Sequence, residues 1–288
     1  MAQKVALVTG ANAGLGLEES KRLVELGYRV IMACRDLDKG MSAKAALLKK
    51  FPKAIIDVLE LDLSSQKSVK NFADLVKQDY HRLDLLINNA GIMMTPYQLT
   101  EDGFENQLAT NYLGHFALTG YLLQLLKNTE NSRVVSLSSL AHKWSDIRFT
   151  DINFENGYDK KKAYGQSKLA CLMFAYELER RLKVSGYSAI SVAAHPGIAN
   201  TNLFSSMPSF LKWLSPIMGQ SAEDGAKPVL FAALSKDLNG GEYIGPDGFN
   251  EWRGEPKIVD SNPTSKNKQN ATRLWDLSEE LTGVKYQF

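Results

Sequence analysis

The sequence has few features that would direct it to nucleic acid, to a metal or to an oxidising compartment. Lysine and arginine number 34 against 32 acidic residues, and no long basic stripe stands out, so nucleic-acid binding lacks an electrostatic footprint. The only cysteines, Cys34 and Cys171, lie in predicted secondary structure and suit buried thiols in a reducing cytoplasm. The four histidines lack zinc-ligand spacing, so we expect no metal site.

Long apolar runs are also missing, and no segment has the uninterrupted length of a membrane-spanning helix. The first predicted strand begins close to Met1, so we expect no signal peptide. These features predict a cytoplasmic protein with no integral membrane segment. A chain of 288 residues with 44% hydrophobic residues is ample for a buried core.

Strand and helix patterns alternate from residue 4 to about residue 197 without a linker. Short apolar runs predict strands within 4–10, 28–34, 58–61, 84–91, 133–139 and 190–197. A helix over 223–234, a strand over 242–245 and a closing helix over 271–281 follow. This order predicts an α/β fold, a single-domain Rossmann-type doubly wound parallel sheet with helices on both faces.

A glycine-rich turn separates the first strand from the first helix. Gly10, Gly14 and Gly16 remove the Cβ atoms that would keep a pyrophosphate from the backbone, and the helix start offers free N–H groups. The spacing differs from Gly-x-Gly-x-x-Gly, and a tight turn without a ligand is the alternative.

Polar residues collect where the later strands end. Asn88 and Asn89 follow one strand, and Ser138 and Ser139 follow the next. The carboxyl ends of parallel strands meet at one edge of a sheet, where ligands bind. Turn closure by the asparagines and helix capping by the serines are the alternatives.

Tyr164 and Lys168 are four residues apart and share one face if their segment is helical. A free phenol, with a pKa of about 10, exchanges protons poorly at neutral pH, and a neighbouring ammonium stabilises the phenolate. The pair therefore predicts a general acid/base, and an unrelated surface pair is the alternative.

Together these motifs make the chain resemble the short-chain dehydrogenase/reductase family over nearly its whole length. Residues 33–36 and 138–142 are similar to the branch of retinol dehydrogenases and carbonyl reductases. The motifs that carry the family resemblance are Thr9-Gly10-x-x-x-Gly14-x-Gly16, Asn88-Asn89-Ala90-Gly91, Asn111, Ser139, Tyr164-x-x-x-Lys168 and Pro196-Gly197.

The resemblance implies four catalytic roles. Tyr164 would be the general acid/base, Lys168 its partner and a ribose ligand, Ser139 the anchor of the substrate oxygen, and Asn111 the holder of a proton-relay water. Ser139 precedes Tyr164 by 25 residues, wider than is usual in the family, which indicates an insertion over 140–163. Ser138 therefore remains an alternative anchor.

The end of the second strand bears on the choice of cofactor. Cys34 stands where an NAD-specific member would present a carboxylate, and Arg35 follows it. A guanidinium binds a 2′-phosphate with paired, charge-assisted hydrogen bonds, so we expect NADP(H). Asp36 complicates this choice, although the resembling branch carries the same Arg-Asp pair with NADP.

Further cofactor contacts are implied by the resemblance, including Asp62 at the adenine, for which a helix-cap role is the alternative. The other implied contacts are Asn12, Leu15, Leu63, Asn89, Ala90, Gly91, Pro196, Gly197, Ile198 and Thr201.

The whole of 1–288 is expected to be one catalytic domain with a substrate lid near 198–221 and an extension over 246–288. The apolar stretch 207–218 fits a lid, a dimer contact or a core helix. Relatives commonly pair through the helices bearing Asn111 and Tyr164, which leaves a homo-oligomer as an expectation.

The sequence thus predicts an NADP(H)-dependent oxidoreductase that interconverts a ketone or aldehyde and its alcohol on a fairly apolar small molecule. The alternative is a dinucleotide-binding regulator or scaffold without turnover. Such proteins usually lose the tyrosine, lysine or serine, and this chain has all three.

Overall fold

The computed structural model describes residues 3–198 and 220–288. They contain one eight-stranded sheet, against which the helices pack. The strand order is β3-β2-β1-β4-β5-β6-β7-β8, and all neighbours are parallel except β7 and β8. Strands β2 and β3 are added on one side of β1, and β4 and the later strands are added on the other side. Ligands of open α/β sheets bind at such a point, here between β1 and β4. The strands are β1 (Val5–Thr9), β2 (Arg29–Cys34), β3 (Ile56–Glu60), β4 (Leu85–Asn88), β5 (Arg133–Leu137), β6 (Ile190–Ala194), β7 (Tyr243–Pro246) and β8 (Pro256–Ile258).

Helices cover both faces of this sheet, which confirms the predicted doubly wound fold. One apolar cluster joins α3, α5, α6 and α8 to the sheet, and a second joins α1, α2 and α7 to its other face. The helices are α1 (Gly14–Glu25), α2 (Leu37–Lys50), α3 (Gln66–Asp79), α4 (Asn106–Leu108), α5 (Gly114–Asn128), α6 (Lys160–Val184), α7 (Ala222–Leu234) and α8 (Lys268–Thr282). A π-helical turn, Ala109–Leu113, connects α4 to α5.

Two local features differ from the sequence patterns. The strand β8 was not predicted, because three half-buried or exposed residues give no clear alternation. The run of three lysines over 160–162 favours a solvated loop, but these residues form the exposed first turn of α6. The side chain of Asp159 caps that helix by accepting N–H bonds from Lys161 and Lys162. Thr201 and the stretch 207–218 lie outside the described residues.

Among residues 3–198 and 220–288, no helix combines the length and apolar character needed to cross a lipid bilayer. The same ranges contain no group of three or more His, Cys, Asp or Glu side chains arranged to hold a metal ion.

Glu19 is an unusual residue in the packing of α1. It is fully buried on the same helical face as Leu15 and Leu23, and neither carboxyl oxygen has a hydrogen-bond partner within the described chain. Burial raises the pKa of Glu19 to about 8, so the folded protein holds a neutral carboxylic acid there at neutral pH.

We expect Glu19 to make stability fall with rising pH. The folded state keeps the proton up to about pH 8, whereas an unfolded chain releases it near 4.5. The stability is fully present below the lower value and is lost at about 1.4 kcal/mol per pH unit between the two. Urea unfolding of Glu19→Gln between pH 5 and pH 8 should lack this slope. Glu18→Gln, beside it on α1 in a part-exposed pair with Lys21, is the control and should keep it. Equal slopes in all three proteins would contradict the prediction.

Candidate active site

The glycine-rich turn leaves no space for larger residues. Gly10 has φ +68°, and its N–H donates to Ala33 O at 2.8 Å, which holds the turn against the end of β2. A Cβ on Gly16 would lie 2.6 Å from both Asn89 Nδ2 and Gly10 O. The turn therefore packs with bare backbone against the segment that follows β4.

The N terminus of α1 is open to a ligand. Its N-cap is Ala13, and within the described residues no side chain caps it, whereas Asp36, Ser65 and Asp159 cap α2, α3 and α6. The unpaired N–H groups and the positive end of the helix dipole favour an anion. Gly14 and Leu15 are the first residues of this helix, and Asn12 lies in the turn before it.

The hydroxyl of Thr9 fixes the segment after β4. The N–H groups of Asn89 and Ala90 each donate to Thr9 Oγ1 at 3.0 Å, and Asn89 Nδ2 donates to Thr9 O at 2.7 Å. Gly91 comes next, and a Cβ there would lie 3.1 Å from Asn111 Oδ1. The stretch 89–91 thus borders both the glycine-rich turn and the π-helical turn.

Tyr164 and Lys168 lie together on one face of α6. Lys168 Nζ is 6.0 Å from the centroid of the Tyr164 ring and donates to Leu137 O at 3.1 Å, at the carboxyl end of β5. Both side chains are buried, with 5% and 6% of their surface exposed. The ring centroids of Trp144 and Tyr164 are 6.2 Å apart.

The two serines after β5 have different surroundings. Ser138 is buried, and its hydroxyl donates to the backbone oxygen of Lys168 at 2.8 Å. Ser139 is partly exposed and caps the 3₁₀ helix Leu140–Lys143 by accepting from the N–H of Ala141 at 3.2 Å. Ser139 therefore keeps a hydroxyl proton for a ligand, whereas Ser138 uses its proton to hold α6.

That 3₁₀ helix packs closely on α6, beside Tyr164. A Cβ on Gly165 would lie 3.0 Å from Ala141 O and 3.0 Å from Trp144 Cβ. The first residues of the stretch 140–163 therefore hold Ser139, at the start of the 3₁₀ helix, next to Tyr164 on α6.

Asn111 belongs to the π-helical turn and is fully engaged with protein groups. Its side chain accepts from Ile92 N at 2.8 Å and donates to Ile92 O at 3.0 Å and to Ser167 Oγ at 2.9 Å. Its backbone oxygen accepts from His115 Nδ1 at 2.9 Å and from Cys171 Sγ at 3.1 Å. A water on this carbonyl would have to share it with, or replace, the weak thiol donor.

The three side chains at the end of β2, those of Cys34, Arg35 and Asp36, have different surroundings. Arg35 is exposed, while the carboxylate of Asp36 caps α2 by accepting from Lys39 N at 3.0 Å and pairs with Lys39 Nζ at 2.8 Å. Burial raises the pKa of the Cys34 thiol to about 11, so it carries no charge. The free charged group beside the glycine-rich turn is thus a guanidinium.

Asp62 and Leu63 follow β3 at the same edge. Asp62 Oδ1 accepts from the N–H of Ser64 at 2.9 Å and from its hydroxyl at 2.6 Å, while Ser65 caps α3. A Cβ on Gly114 would lie 2.3 Å from Leu63 O, so this segment packs directly on the start of α5. Asp62 forms a local turn rather than the helix cap.

Pro196, Gly197 and Ile198 follow β6 and are partly exposed. Pro196 O accepts from Gln220 Nε2, and Ile198 O accepts from Gln220 N at 2.9 Å. Thr201, the last of the expected contacts, lies outside the described residues.

Comparison with known proteins identifies the family of the chain. The sequence matches the family model of the short chain dehydrogenases over residues 4–211. It is 41% identical to retinol dehydrogenase 12 of Mus musculus, with 99% of this chain and 88% of that protein covered. It is 39% identical to retinol dehydrogenase 14 of Homo sapiens, covering 98% and 87%.

The chain belongs to the short-chain dehydrogenase/reductase family. Among solved structures of similar fold, an uncharacterised protein from Mycobacterium paratuberculosis has 40% identity and a TM-score of 0.84, with 100% of this chain and 96% of that chain covered. A short chain dehydrogenase from Shigella flexneri complexed with NADP has 21% identity and a TM-score of 0.68, with 84% and 96% covered, and shows likeness of fold.

Sequence reasoning missed the reach of His115 in this short-chain dehydrogenase/reductase. Its Nδ1 bonds to Asn111 O within its own helical segment, and its Nε2 lies 2.9 Å from Thr9 Oγ1. Because Asn111 O can only accept, Nδ1 carries the proton and Nε2 accepts from the Thr9 hydroxyl. Burial lowers the pKa of His115 to about 4, which keeps the ring neutral. A histidine four residues after Asn111 was the only signal, and it did not indicate the partner on β1.

We expect Thr9→Val to loosen the site although it preserves the shape of the side chain. The change leaves the N–H of Ala90 and the ring of His115 without their shared partner, while the N–H of Asn89 keeps only its bond to Ile87 O; the loss is about 1–3 kcal/mol per unsatisfied buried group. Urea unfolding and a nucleotide titration should both show weakening. Thr9→Ser keeps the hydroxyl and should stay close to wild type, and equal behaviour of the two variants would refute the role of the hydroxyl.

Proposed function

We propose that this protein is an NADP(H)-dependent oxidoreductase that interconverts a ketone or aldehyde and its alcohol. The observation that carries the proposal is the placement of Tyr164 and Lys168 on one buried face of α6, against the 3₁₀ helix that begins at Ser139. This group adjoins the open N terminus of α1 through the stretch 89–91.

The residues present suit a nicotinamide dinucleotide. The uncapped start of α1 favours a pyrophosphate on the N–H groups of Gly14, Leu15 and Gly16. We propose that Asn12, Asp62, Leu63 and the segments 89–91 and 196–198 border the remainder. When bound, the cofactor supplies or accepts the hydride.

The chemistry of the protein's own residues follows from where charge develops. Reduction of a carbonyl builds negative charge on oxygen, and a phenol proton from Tyr164 and a hydrogen bond from Ser139 stabilise that charge in the transition state. The ammonium of Lys168 stabilises the negative charge on the Tyr164 oxygen after the proton has been transferred. Asn111 holds the segment around Ile92 against α6.

Arg35 supports the choice of NADP(H) over NAD(H). An exposed guanidinium beside the glycine-rich turn suits a 2′-phosphate, and Asp36, which would repel one, has its carboxylate directed to α2. Two proteins of similar fold are described with this cofactor, the Shigella flexneri complex and an NADPH-dependent 3-quinuclidinone reductase from Rhodotorula rubra.

The relatives support an apolar substrate, because named relatives of the chain include retinol dehydrogenases. We propose a fairly apolar small carbonyl or alcohol, with reduction as the direction in cells. Location in the cytoplasm and a single catalytic domain with a lid remain predictions.

Oligomer formation through α5 and α6 would meet an obstacle. The ring centroid of Trp275, on α8, lies 5.1 Å from that of Phe116 on α5 and 5.8 Å from that of Phe174 on α6. Tyr286 donates to Phe116 O at 2.6 Å. The chain's own C-terminal segment therefore covers part of the surface through which pairing was expected.

We expect Tyr164→Phe to lower the rate of NADPH oxidation with a carbonyl panel by about 10²–10⁴-fold, because the proton donor is lost while the ring remains. NADPH binding, followed by fluorescence titration, should be retained. Tyr187→Phe, in the connection between α6 and β6 where the ring lies under Lys127, is the control and should keep full activity. A wild-type protein that binds NADPH but turns over no carbonyl or alcohol would favour the regulator instead.

We expect Arg35→Ala to weaken NADPH binding by about tenfold or more through loss of charge-assisted hydrogen bonds, and to leave NADH binding unchanged. The measurement is a titration of both nucleotides. Arg22→Ala removes an exposed arginine that pairs with Glu25 on α1 and should affect neither. An equal loss for both nucleotides would argue against a 2′-phosphate contact.

A further inference from the structure

The turn 196–198 is held from outside the sheet by the loop between β7 and β8. Ile198 N donates to Trp252 O at 2.9 Å. Gly197 has φ +69°, and a Cβ there would lie 2.4 Å from the same carbonyl oxygen. The loop and the turn are therefore in direct backbone contact.

His195 and Glu251 form a second connection between the same two segments. His195 is fully buried, and its Nε2 lies 3.0 Å from Glu251 Oε2. Its Nδ1 accepts the N–H of Gly197 at 3.3 Å. Because the carboxylate can only accept, the proton resides on Nε2, and this tautomer leaves Nδ1 free to hold Gly197.

The loop is built to present Glu251. Asn250 and Glu251 have φ of 49° and 58°, a left-handed conformation that asparagine tolerates but that is strained for glutamate. Backbone bonds from Gly248 N to Arg253 O at 3.0 Å and from Asp247 N to Glu255 O at 2.9 Å brace this conformation. Strain that is maintained by bracing indicates that the position of the carboxylate matters.

We propose that Glu251 is a positioning residue for the nicotinamide half of the cofactor, acting through His195 on the turn 196–198. The inference rests on the proposed function. Strand β6 pairs with β5, whose end holds Lys168, and Arg35 follows β2 on the other side of β1, so we place the turn 196–198 at the nicotinamide end of the proposed cofactor site. Without the carboxylate, the imidazole can take the other tautomer, whose Nδ1–H opposes the N–H of Gly197. The turn then loses a hydrogen bond at the point where it would border the ring.

The test compares two ligands that share the adenine end. NADPH contains the nicotinamide, and 2′,5′-ADP lacks it. We expect Glu251→Ala to weaken NADPH binding by roughly tenfold, the effect of one hydrogen bond, and to change 2′,5′-ADP binding by less than about twofold. Glu251→Gln keeps an acceptor oxygen for His195 Nε2–H and should restore NADPH binding.

Two histidine variants test the same step without touching Glu251. His195→Asn places an acceptor near the position of Nδ1 and should keep NADPH binding, whereas His195→Gln places it near Nε2 and should weaken it. They also serve if Glu251→Ala does not fold. Thermal unfolding of every variant reports folding separately.

Each result decides between the possibilities. Equal weakening of both ligands by Glu251→Ala, or unchanged binding of both, would overturn the positioning role and leave the proposed function intact. Failure of the wild-type protein to bind NADPH while it remains folded would reject the proposed function itself, and this inference with it.

Discussion

The hydroxyl of Thr9 is the interaction on which the arrangement of the site depends. It accepts from the backbone of Asn89 and Ala90 and donates to His115, whose other nitrogen holds the carbonyl of Asn111. One buried group thus joins the end of β1, the segment after β4 and the π-helical turn. These segments are far apart in sequence, and buried polar groups tolerate few alternative partners, so their relative positions are fixed.

The parallel sheet converts this local fixing into a site. β1, β4, β5 and β6 are neighbours or near neighbours in the sheet and all end at one edge, so each contributes its following residues to the same place. Helix α6 then brings Tyr164 and Lys168 over the end of β5, where Lys168 is held by Leu137 O. The loop after β7 supports the last of these strand ends from the outside, through His195 and Trp252.

Much of the fold could be predicted from sequence because apolar runs and glycine turns act locally. The strands β1, β2, β4, β5 and β6 are buried on both faces, so their sequences are nearly continuous apolar runs. The edge strand β8 escaped prediction because two of its three residues are exposed. The resemblance of motifs favoured Ser139 over Ser138 and NADP in spite of Asp36, but it did not say what the side chains of Ser138 and Asp36 do in the fold. Those roles depend on which way each side chain turns, to α6, to a ligand or to the N terminus of α2.

The sequence by itself determined the order of strands and helices, the glycine-rich turn and the pairing of Tyr164 with Lys168, since each depends on residues within a few positions of one another. Only the tertiary structure decided that His115 reaches Thr9, that Glu251 reaches His195 and that the C-terminal segment covers α5. Those contacts join residues 106, 56 and 170 positions apart. No local pattern specifies such contacts, because they form only when packing of the whole core brings the elements together.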